Sequence, residues 1–203
     1  SIACGTWRNI MDSLKLSFMQ ISDIQESASV LSAAMLDNPL HVAVLQGKGE
    51  KQRMEIENMF CDLFVALPGI VYLAKEEQHI VGVMRMKSCQ GRKVADVTKD
   101  ATDENDIGWR KSVWHAEWGR NDPLEQHWHL GPIGVLPTHQ GLGVGSILME
   151  RFCKEVDACV AKAYLETDLD KNVRFYEKFG FKVVSESEIF NVKNRYMLRP
   201  SQT

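Results

Sequence analysis

Glycine is concentrated in one short stretch, Gln140 to Ser146, which separates an apolar run from a helical pattern. Glycines stand at 141, 143 and 145. Because glycine has no side chain, its backbone can approach a ligand closely, and a helix start presents unpaired N–H groups at the positive end of the helix dipole. This chemistry suits a phosphate. The stretch is not a P-loop, since no Gly-Lys-Ser/Thr follows, and it lies too late in the chain for a Rossmann fingerprint.

Two histidines, His127 and His129, lie on the apolar run before the glycines, and this run predicts a strand. Alternate residues of a strand face the same side, so both imidazoles point to one face. The ordinary pKa of histidine, about 6.5, suits a group that takes up a proton near neutral pH. Two strand histidines are equally explained by packing. No third metal ligand is evident beside them, so we predict no metal site.

The spacing Gln140-x-x-Gly143-x-Gly145 is followed by the sequence NVRFYEKFGF, from Asn172 to Phe181. This combination resembles the GNAT superfamily of acetyl-CoA-dependent N-acetyltransferases, and within it the small-molecule enzymes of the puromycin N-acetyltransferase kind. The match runs from about residue 126 to residue 199. The resemblance implies acetyl-CoA as co-substrate and an α/β fold, with a mixed, mostly antiparallel seven-stranded sheet flanked by helices.

The resemblance also implies where the cofactor binds. The diphosphate of CoA would lie on the backbone N–H groups between Gly141 and Ser146, and the Ile133 N–H would meet the thioester oxygen. The dipeptide Gly131-Pro132 fits this assignment, because proline removes a ladder donor and such pairs favour bulges or strand edges. The expected cofactor-binding residues are Ile133, Val135, Gln140, Gly141, Leu142, Gly143, Val144, Gly145, Ser146, Asn172 and Tyr176.

Catalysis is assigned by the same resemblance to Tyr176, His129 and the backbone of Ile133. A phenol, with an ordinary pKa of about 10, is a suitable acid for a departing thiolate. His129 lies where several relatives carry a base that deprotonates the amine. The assignment of the base stays open, and the alternatives are Glu125, Glu166 and His115. The residues expected in the acceptor site are Trp114, His127 and Glu166.

Hydrophobic periodicity predicts the elements that position these residues. The front half has the order β-α-α-β-β: a strand at 14–21, a helix that follows a cap at Ser22-Asp23 and extends through Met35, a helix from about 50 to 67, and a hairpin of 70–74 with 79–86. Asn38-Pro39 should end or kink the first helix. The back half contains a strand from His127, a helix over 147–161, a strand at 163–167, a helix over about 171–178, and a hairpin of 181–185 with 193–199.

Between Ser88 and Pro123 the periodicity fails, although the end of the segment is rich in aromatic residues. A connection of this length is more often a binding loop, a lid or an insertion than a simple link. Residues 113–118 are compatible with a short helix that places Trp114 and Trp118 one turn apart. Two interpretations stay open: the tryptophans pack on the domain, or they wall an acceptor pocket.

Composition bounds the class of protein. At 203 residues and 44% hydrophobic, the chain is the size of one well-cored domain. A formal charge of −3 gives no reason to expect nucleic acid, and no apolar run of ~18 residues predicts a membrane span. An odd number of cysteines without CxxC spacing indicates neither a disulfide framework nor zinc, which favours the cytoplasm.

These observations together predict a GNAT domain over 13–203 with an aromatic-rich insertion at 88–123, preceded at 1–12 by a lead-in or an expression remnant. The expected reaction is transfer of acetyl from acetyl-CoA to a primary amine of a small molecule, by direct attack in a ternary complex. A protein or peptide acetyltransferase and a non-catalytic acyl-CoA-binding module stay open as alternatives. A homodimer also stays open.

Overall fold

A computed structural model of the chain describes residues 12–66, 69–93, 100 and 102–203. The predicted lead-in therefore lies outside the described residues except for Asp12. The last residue of the predicted second helix, Leu67, and residues 94–99 and 101 of the predicted insertion lie outside them as well.

Seven strands and six α-helices form within this described part. They are β1 (Leu14–Phe18), α1 (Ile24–Met35), α2 (Pro39–Leu45), α3 (Glu50–Ala66), β2 (Ile70–Glu76), β3 (His79–Cys89), α4 (Ile107–Asn121), β4 (His127–Val135), α5 (Val144–Ala158), β5 (Ala163–Thr167), α6 (Asp170–Glu177), β6 (Lys182–Ile189) and β7 (Val192–Arg199).

All seven strands belong to one sheet, in the order β1-β2-β3-β4-β5-β7-β6. The pairs β1–β2, β2–β3, β5–β7 and β6–β7 are antiparallel. The pair β4–β5 is parallel, with Trp128 opposite Ala163 and His129 opposite Tyr164. The predicted α/β class and the mixed, mostly antiparallel sheet of seven strands are confirmed.

Two helices differ from the sequence prediction. Asn38 is extended and Pro39 is the first residue of α2, so this proline begins a helix where we expected only an end or a kink. Proline suits the first turn because its missing N–H has no helical acceptor there. The predicted short helix at 113–118 is part of the longer α4, whose start is capped by the Asp106 carboxylate, 2.7 Å from the Trp109 N–H.

The described residues group into two compact units. The first contains β1, α1, β2, and most of β3, α3, β4 and α5. Two glycines set how closely its helices approach the sheet. A Cβ on Gly82 would lie 2.9 Å from Val144 Cγ1, and one on Gly134 would lie 2.9 Å from Leu31 Cδ2. Because these strand positions carry no side chain, α5 packs directly on β3 and α1 on β4.

The second unit contains α2, α4, β5, α6, β6 and β7, together with the first three residues of β4 and short end pieces of α3, β3 and α5. Both ends of α2 are held by distant residues. The Asp168 carboxylate accepts from the Leu40 N–H at 2.7 Å, and the Arg110 guanidinium donates to the Ala43 carbonyl at 2.7 Å. The same guanidinium lies 3.8 Å from the ring centroid of Phe190. These contacts fix α2 against α4 and against the residues that follow β5.

His41 on α2 packs against Trp114 on α4, with ring centroids 5.2 Å apart in an edge-to-face arrangement. The two residues are 6% and 5% exposed. Trp114 also contacts the ring of Trp118, whose indole N–H donates to the buried Asn194 side chain at 3.0 Å. In the described structure the tryptophans thus pack within the unit, as the first of the two interpretations of the aromatic segment predicts.

We expect His41 to make folding stability depend on pH. Burial lowers the pKa of His41 from about 6.5 to about 4. The unfolded chain therefore takes up this proton below pH 6.5 while the folded chain does not, so stability present above pH 6.5 is lost as the pH falls to 4. The shift corresponds to about 3 kcal/mol. Urea unfolding at pH 7 and at pH 4 should show this loss in the wild type and not in His41→Leu.

The matched control is His79→Leu, because His79 is exposed at the start of β3. Its loss of stability between the two pH values should equal that of the wild type. An equal loss in His41→Leu would show that His41 does not titrate as a buried imidazole.

Candidate active site

The glycine-rich stretch lies in the first unit, between β4 and α5. A single 3-10 turn, Pro137–His139, follows the strand. The Leu136 N–H donates to the Val81 carbonyl at 2.9 Å, and the Gln140 side-chain amide donates to the Val135 carbonyl at 3.0 Å. His139 Nε2 lies 2.7 Å from the Glu76 carboxylate. Side chains and backbone therefore hold this turn against β2 and β3.

Two of the glycines adopt backbone conformations that other residues rarely adopt, with φ of +75° at Gly141 and +89° at Gly143. Helix α5 begins at Val144, and its first backbone hydrogen bond runs from the Ile147 N–H to the Gly143 carbonyl at 3.1 Å. The N–H groups of the preceding turn have no helical acceptor. A Cβ on Gly141 would meet no atom within 4 Å, so this side of the turn is open.

This geometry meets the two requirements for binding a phosphate at a helix N-terminus: donors that have no helical acceptor and a backbone that a ligand can approach. The predicted cofactor-binding residues from Gln140 to Ser146 all lie in this turn and in the first turn of α5. Ile133 and Val135 lie on β4 in the same unit. The residues thus fit a diphosphate group, although none of them is basic.

In the second unit, His129 Nε2 lies 2.8 Å from Glu166 Oε2. The imidazole is 22% exposed, while the carboxylate is only 5% exposed. The parallel register of β4 and β5 produces this contact, because it places His129 opposite Tyr164, two residues before Glu166. A carboxylate oxygen that accepts from this imidazole takes the hydrogen bond from Nε2–H, so the contact orients the ring.

His127 and His129 both contact the ring of Tyr164, with centroids 5.6 and 6.0 Å away, which agrees with their expected position on one strand face. His127 is buried, and its Nδ1 lies 2.7 Å from the Glu125 carbonyl. The Tyr164 hydroxyl donates to the Asn121 carbonyl. His127 is thus held by backbone and by an aromatic ring, whereas His129 is held by a carboxylate.

Asp122 is a second carboxylate near His129 and Glu166. Burial raises the pKa of Asp122, and the negative charge of Glu166 raises it further, while His129 and His127 lower it. We did not single out Asp122 from the sequence. Asp122 lies at the end of α4, a helix that we predicted only in part. Nothing in the sequence pattern therefore connected Asp122 with β4 and β5.

Tyr176 and Asn172 lie one turn apart on α6, as the sequence predicts. Tyr176 is 7% exposed and contacts the rings of Phe175 and Phe181. Burial raises the pKa of Tyr176, and the charges of Asp168 and Glu166 raise it further. The phenol therefore stays protonated at neutral pH, which is the form in which it can act as an acid.

The remaining alternatives for the base lie in different surroundings. Glu125 is exposed and forms an ion pair with Lys162, and this pairing lowers the pKa of Glu125. His115 lies on α4 beside Trp114, and burial and Lys111 lower its pKa. Of the predicted acceptor-site residues, His127 contacts the ring of Tyr164 and Glu166 contacts His129. Trp114 packs against His41.

Comparison with known proteins places the chain in a family. Residues 41–181 match the model of the acetyltransferase (GNAT) family. The chain therefore belongs to this family, and it is an acetyl-CoA-dependent N-acetyltransferase. The predicted superfamily and the predicted co-substrate, acetyl-CoA, are confirmed. Similarity to the puromycin N-acetyltransferase kind stays a prediction.

Solved structures share the fold at low sequence identity. The histone acetyltransferase HPA2 and related acetyltransferase from Corynebacterium glutamicum has 20% identity and a TM-score of 0.68, over 94% of this chain and 98% of that one. An agmatine N-acetyltransferase has 11% identity and a TM-score of 0.66, over 92% and 99%. A GNAT acetyltransferase from Brucella melitensis, in complex with acetyl-CoA, has 16% identity and a TM-score of 0.53, over 94% and 91%.

No single helix among the described residues is long and apolar enough to cross a membrane, and only a bent pair, Ile21–Met35 with Pro39–Leu45, has the required length and composition. Apolar residues of both segments, such as Leu31 and Val44, are buried inside the protein.

The His129–Glu166 contact predicts that the two side chains act as a unit. We expect His129→Ala to lower kcat/KM for acetyl transfer by ~10²-fold or more and Glu166→Gln by about 10-fold. Because Glu166 would act through His129, the double variant should be no slower than His129→Ala alone. The measurement is a double-mutant cycle on kcat/KM, with Glu186→Gln, an exposed carboxylate paired with Lys193, as control. Losses that multiply would mean that the two residues act independently.

Proposed function

We propose that this enzyme acetylates a primary amine of a small molecule by direct attack on the thioester, without a covalent enzyme intermediate. The observation that carries the proposal is the His129–Glu166 pair, in which a carboxylate of 5% exposure orients an imidazole at 2.8 Å. A positioned imidazole of this kind is suited to remove a proton from an amine near neutral pH.

When bound, acetyl-CoA supplies the acetyl group as an activated thioester. In the proposal, the N–H groups between Gly141 and Ser146 hold its diphosphate, and the positive end of the α5 dipole adds about 0.3–1 kcal/mol to that interaction. The Ile133 N–H stabilises the carbonyl oxygen as it gains charge, and Val135 pairs with the pantetheine arm. The open side of the turn at Gly141 supports the diphosphate assignment.

The proton transfers are assigned to two side chains. The His129 imidazole accepts a proton from the amine, directly or through water, and Glu166 balances the positive charge that develops on the ring. The Tyr176 hydroxyl gives a proton to the departing thiolate, and Asn172 contacts the cofactor arm. These two roles on α6 rest on the resemblance of NVRFYEKFGF to the family, supported by the burial that keeps the phenol protonated.

A small-molecule acceptor is favoured by the compact surroundings of His129, which contacts the ring of Tyr164 together with His127. One solved neighbour is named for agmatine, a small amine, and another for histones. A protein or peptide acceptor is therefore the second candidate. His127 and Trp114 as acceptor contacts, a cytoplasmic setting and a homodimer all stay predictions.

The proposal is tested by a free-thiol assay over a panel of small primary amines and lysine peptides. We expect thiol release with small amines, and we expect Tyr176→Phe to lower turnover by ~10²-fold or more, because the leaving thiolate loses its acid. Binding of acetyl-CoA, measured by calorimetry, should be largely kept.

The matched control is Tyr72→Phe, which removes a hydroxyl bonded to Glu155 in the first unit. It should leave turnover close to that of the wild type. Near-normal turnover in Tyr176→Phe would remove Tyr176 from its role, and acetylation of peptides but not of small amines would favour the second candidate.

A further inference from the structure

The glycine turn, residues 140–143, is anchored at its two ends by different kinds of contact. After the turn, Val144 is buried at the start of α5, and a Cβ on Gly82 of β3 would lie 2.9 Å from Val144 Cγ1. Before the turn, His139 Nε2 lies 2.7 Å from Glu76 Oε2, at the end of β2. One end is therefore held by apolar packing and the other by a contact with a carboxylate.

His139 has a partner at each ring nitrogen. While Nε2 meets the Glu76 carboxylate, Nδ1 lies 2.8 Å from Thr138 Oγ1, and a hydroxyl satisfies that nitrogen with or without a proton because it both donates and accepts. The backbone N–H of His139 donates to the Leu136 carbonyl at 2.8 Å. The imidazole is 21% exposed and the carboxylate 33% exposed. The orientation of the ring is thus defined from both sides, in a half-buried position.

The chain between the two anchors contains Gly141 and Gly143, both at positive φ. Glycine loses more conformational freedom on ordering than any other residue. A ligand that binds the N–H groups of this turn must therefore order it, and the ordering cost reduces the affinity unless the turn is already fixed. The anchors of the turn consequently determine how tightly a phosphate binds there.

The residue type at position 76 is unexpected near a phosphate site. A carboxylate repels a diphosphate, so the charge of Glu76 by itself would weaken binding of such a ligand. The Glu76 carboxylate instead contacts His139, which lies two residues before Gly141. This arrangement fits a residue that orients the turn, rather than one that attracts the ligand.

We propose that Glu76 and His139 are positioning residues for acetyl-CoA, which hold the glycine turn in the conformation that binds the diphosphate of the cofactor. In this role neither side chain touches the thioester or the amine. Their contact fixes the backbone at residue 139, and this fixes the direction of the N–H groups that follow. The inference rests on the proposed function, since it concerns the diphosphate site of the same reaction.

Two variants of Glu76 separate position from charge. Glu76→Ala removes the hydrogen-bond acceptor and the charge, whereas Glu76→Gln removes the charge and keeps an acceptor oxygen. We expect the Kd of CoA, measured by calorimetry, to rise about 3–10-fold in Glu76→Ala, and Glu76→Gln to regain most of this loss. Dephospho-CoA keeps the diphosphate and lacks the 3′-phosphate, so its Kd should rise by the same factor as that of CoA.

The matched control is Glu77→Asn, which removes an exposed carboxylate from the next residue. Asparagine tolerates the positive φ of +56° at this position. The Kd of CoA should stay within about twofold of the wild type, since an exposed charge without such a contact contributes little.

The other partner of the contact is tested by His139→Phe, which keeps a ring and removes both of its hydrogen bonds. This variant should weaken CoA binding about as much as Glu76→Ala does. Because the two substitutions break one contact, the double variant should bind CoA no more weakly than the weaker of the two single variants.

Kinetics supply a second readout. In Glu76→Ala the KM for acetyl-CoA should rise by about the same 3–10-fold factor, while kcat stays within about twofold of the wild type. The reason is that the diphosphate is remote from the reacting atoms, so its contacts are equal in the ground state and in the transition state.

The positioning role is overturned if Glu76→Ala binds CoA as tightly as the wild type, or more tightly, as removal of a repelling charge alone predicts. It is also overturned if Glu76→Gln regains none of the loss, or if dephospho-CoA is unaffected, which would place the effect at the 3′-phosphate. The proposed function fails separately. If no small amine releases thiol but the variants change the Kd of CoA as expected, the proposed reaction is wrong and the positioning role stands.

Discussion

The contact between His129 and Glu166 is the interaction on which the candidate active site depends. It follows from one backbone feature, the parallel pairing of β4 with β5, which puts His129 opposite Tyr164 and so brings Glu166 within reach. Glu166 is nearly buried, and a buried carboxylate is tolerated when it is hydrogen-bonded to a suitable partner. The fold therefore fixes the partner of the imidazole, and with it the orientation of the ring.

In the first unit, the structure depends on the close packing of helices α5 and α1 on strands β3 and β4. Gly82 and Gly134 allow α5 and α1 to pack on the strands, and Gly141 and Gly143 supply the positive φ angles before α5. A side chain at these strand positions would collide with Val144 or Leu31. Helix α5 packs against Gly82 and presents its N-terminal amides to the glycine turn. The position of α5 on β3 therefore determines both the packing and the proposed phosphate site.

Sequence predicted the elements whose signal is local. The glycine turn, the strand that holds the histidines and the helix with Asn172 and Tyr176 were each encoded within about ten residues by spacing alone. The sequence did not predict the partner of His129, because Glu166 lies 37 residues away and is brought close only by strand register. Helix α2 was missed because we expected Asn38-Pro39 to end or kink a helix, whereas α1 already ends at Met35 and Pro39 begins α2. Because α2 was missed, the contact of His41 with Trp114 could not be predicted.

The central claim is that Glu166 accepts a hydrogen bond from His129 Nε2 and so orients the imidazole that takes up a proton from the amine. Long-range ¹H–¹⁵N spectroscopy of the His129 ring tests this most directly. The account predicts a neutral ring protonated on Nε2 at a pH at which the enzyme is active, and a change in the Nε2–H signal in Glu166→Gln. A ring protonated on Nδ1, or a spectrum that is the same in Glu166→Gln, would contradict it.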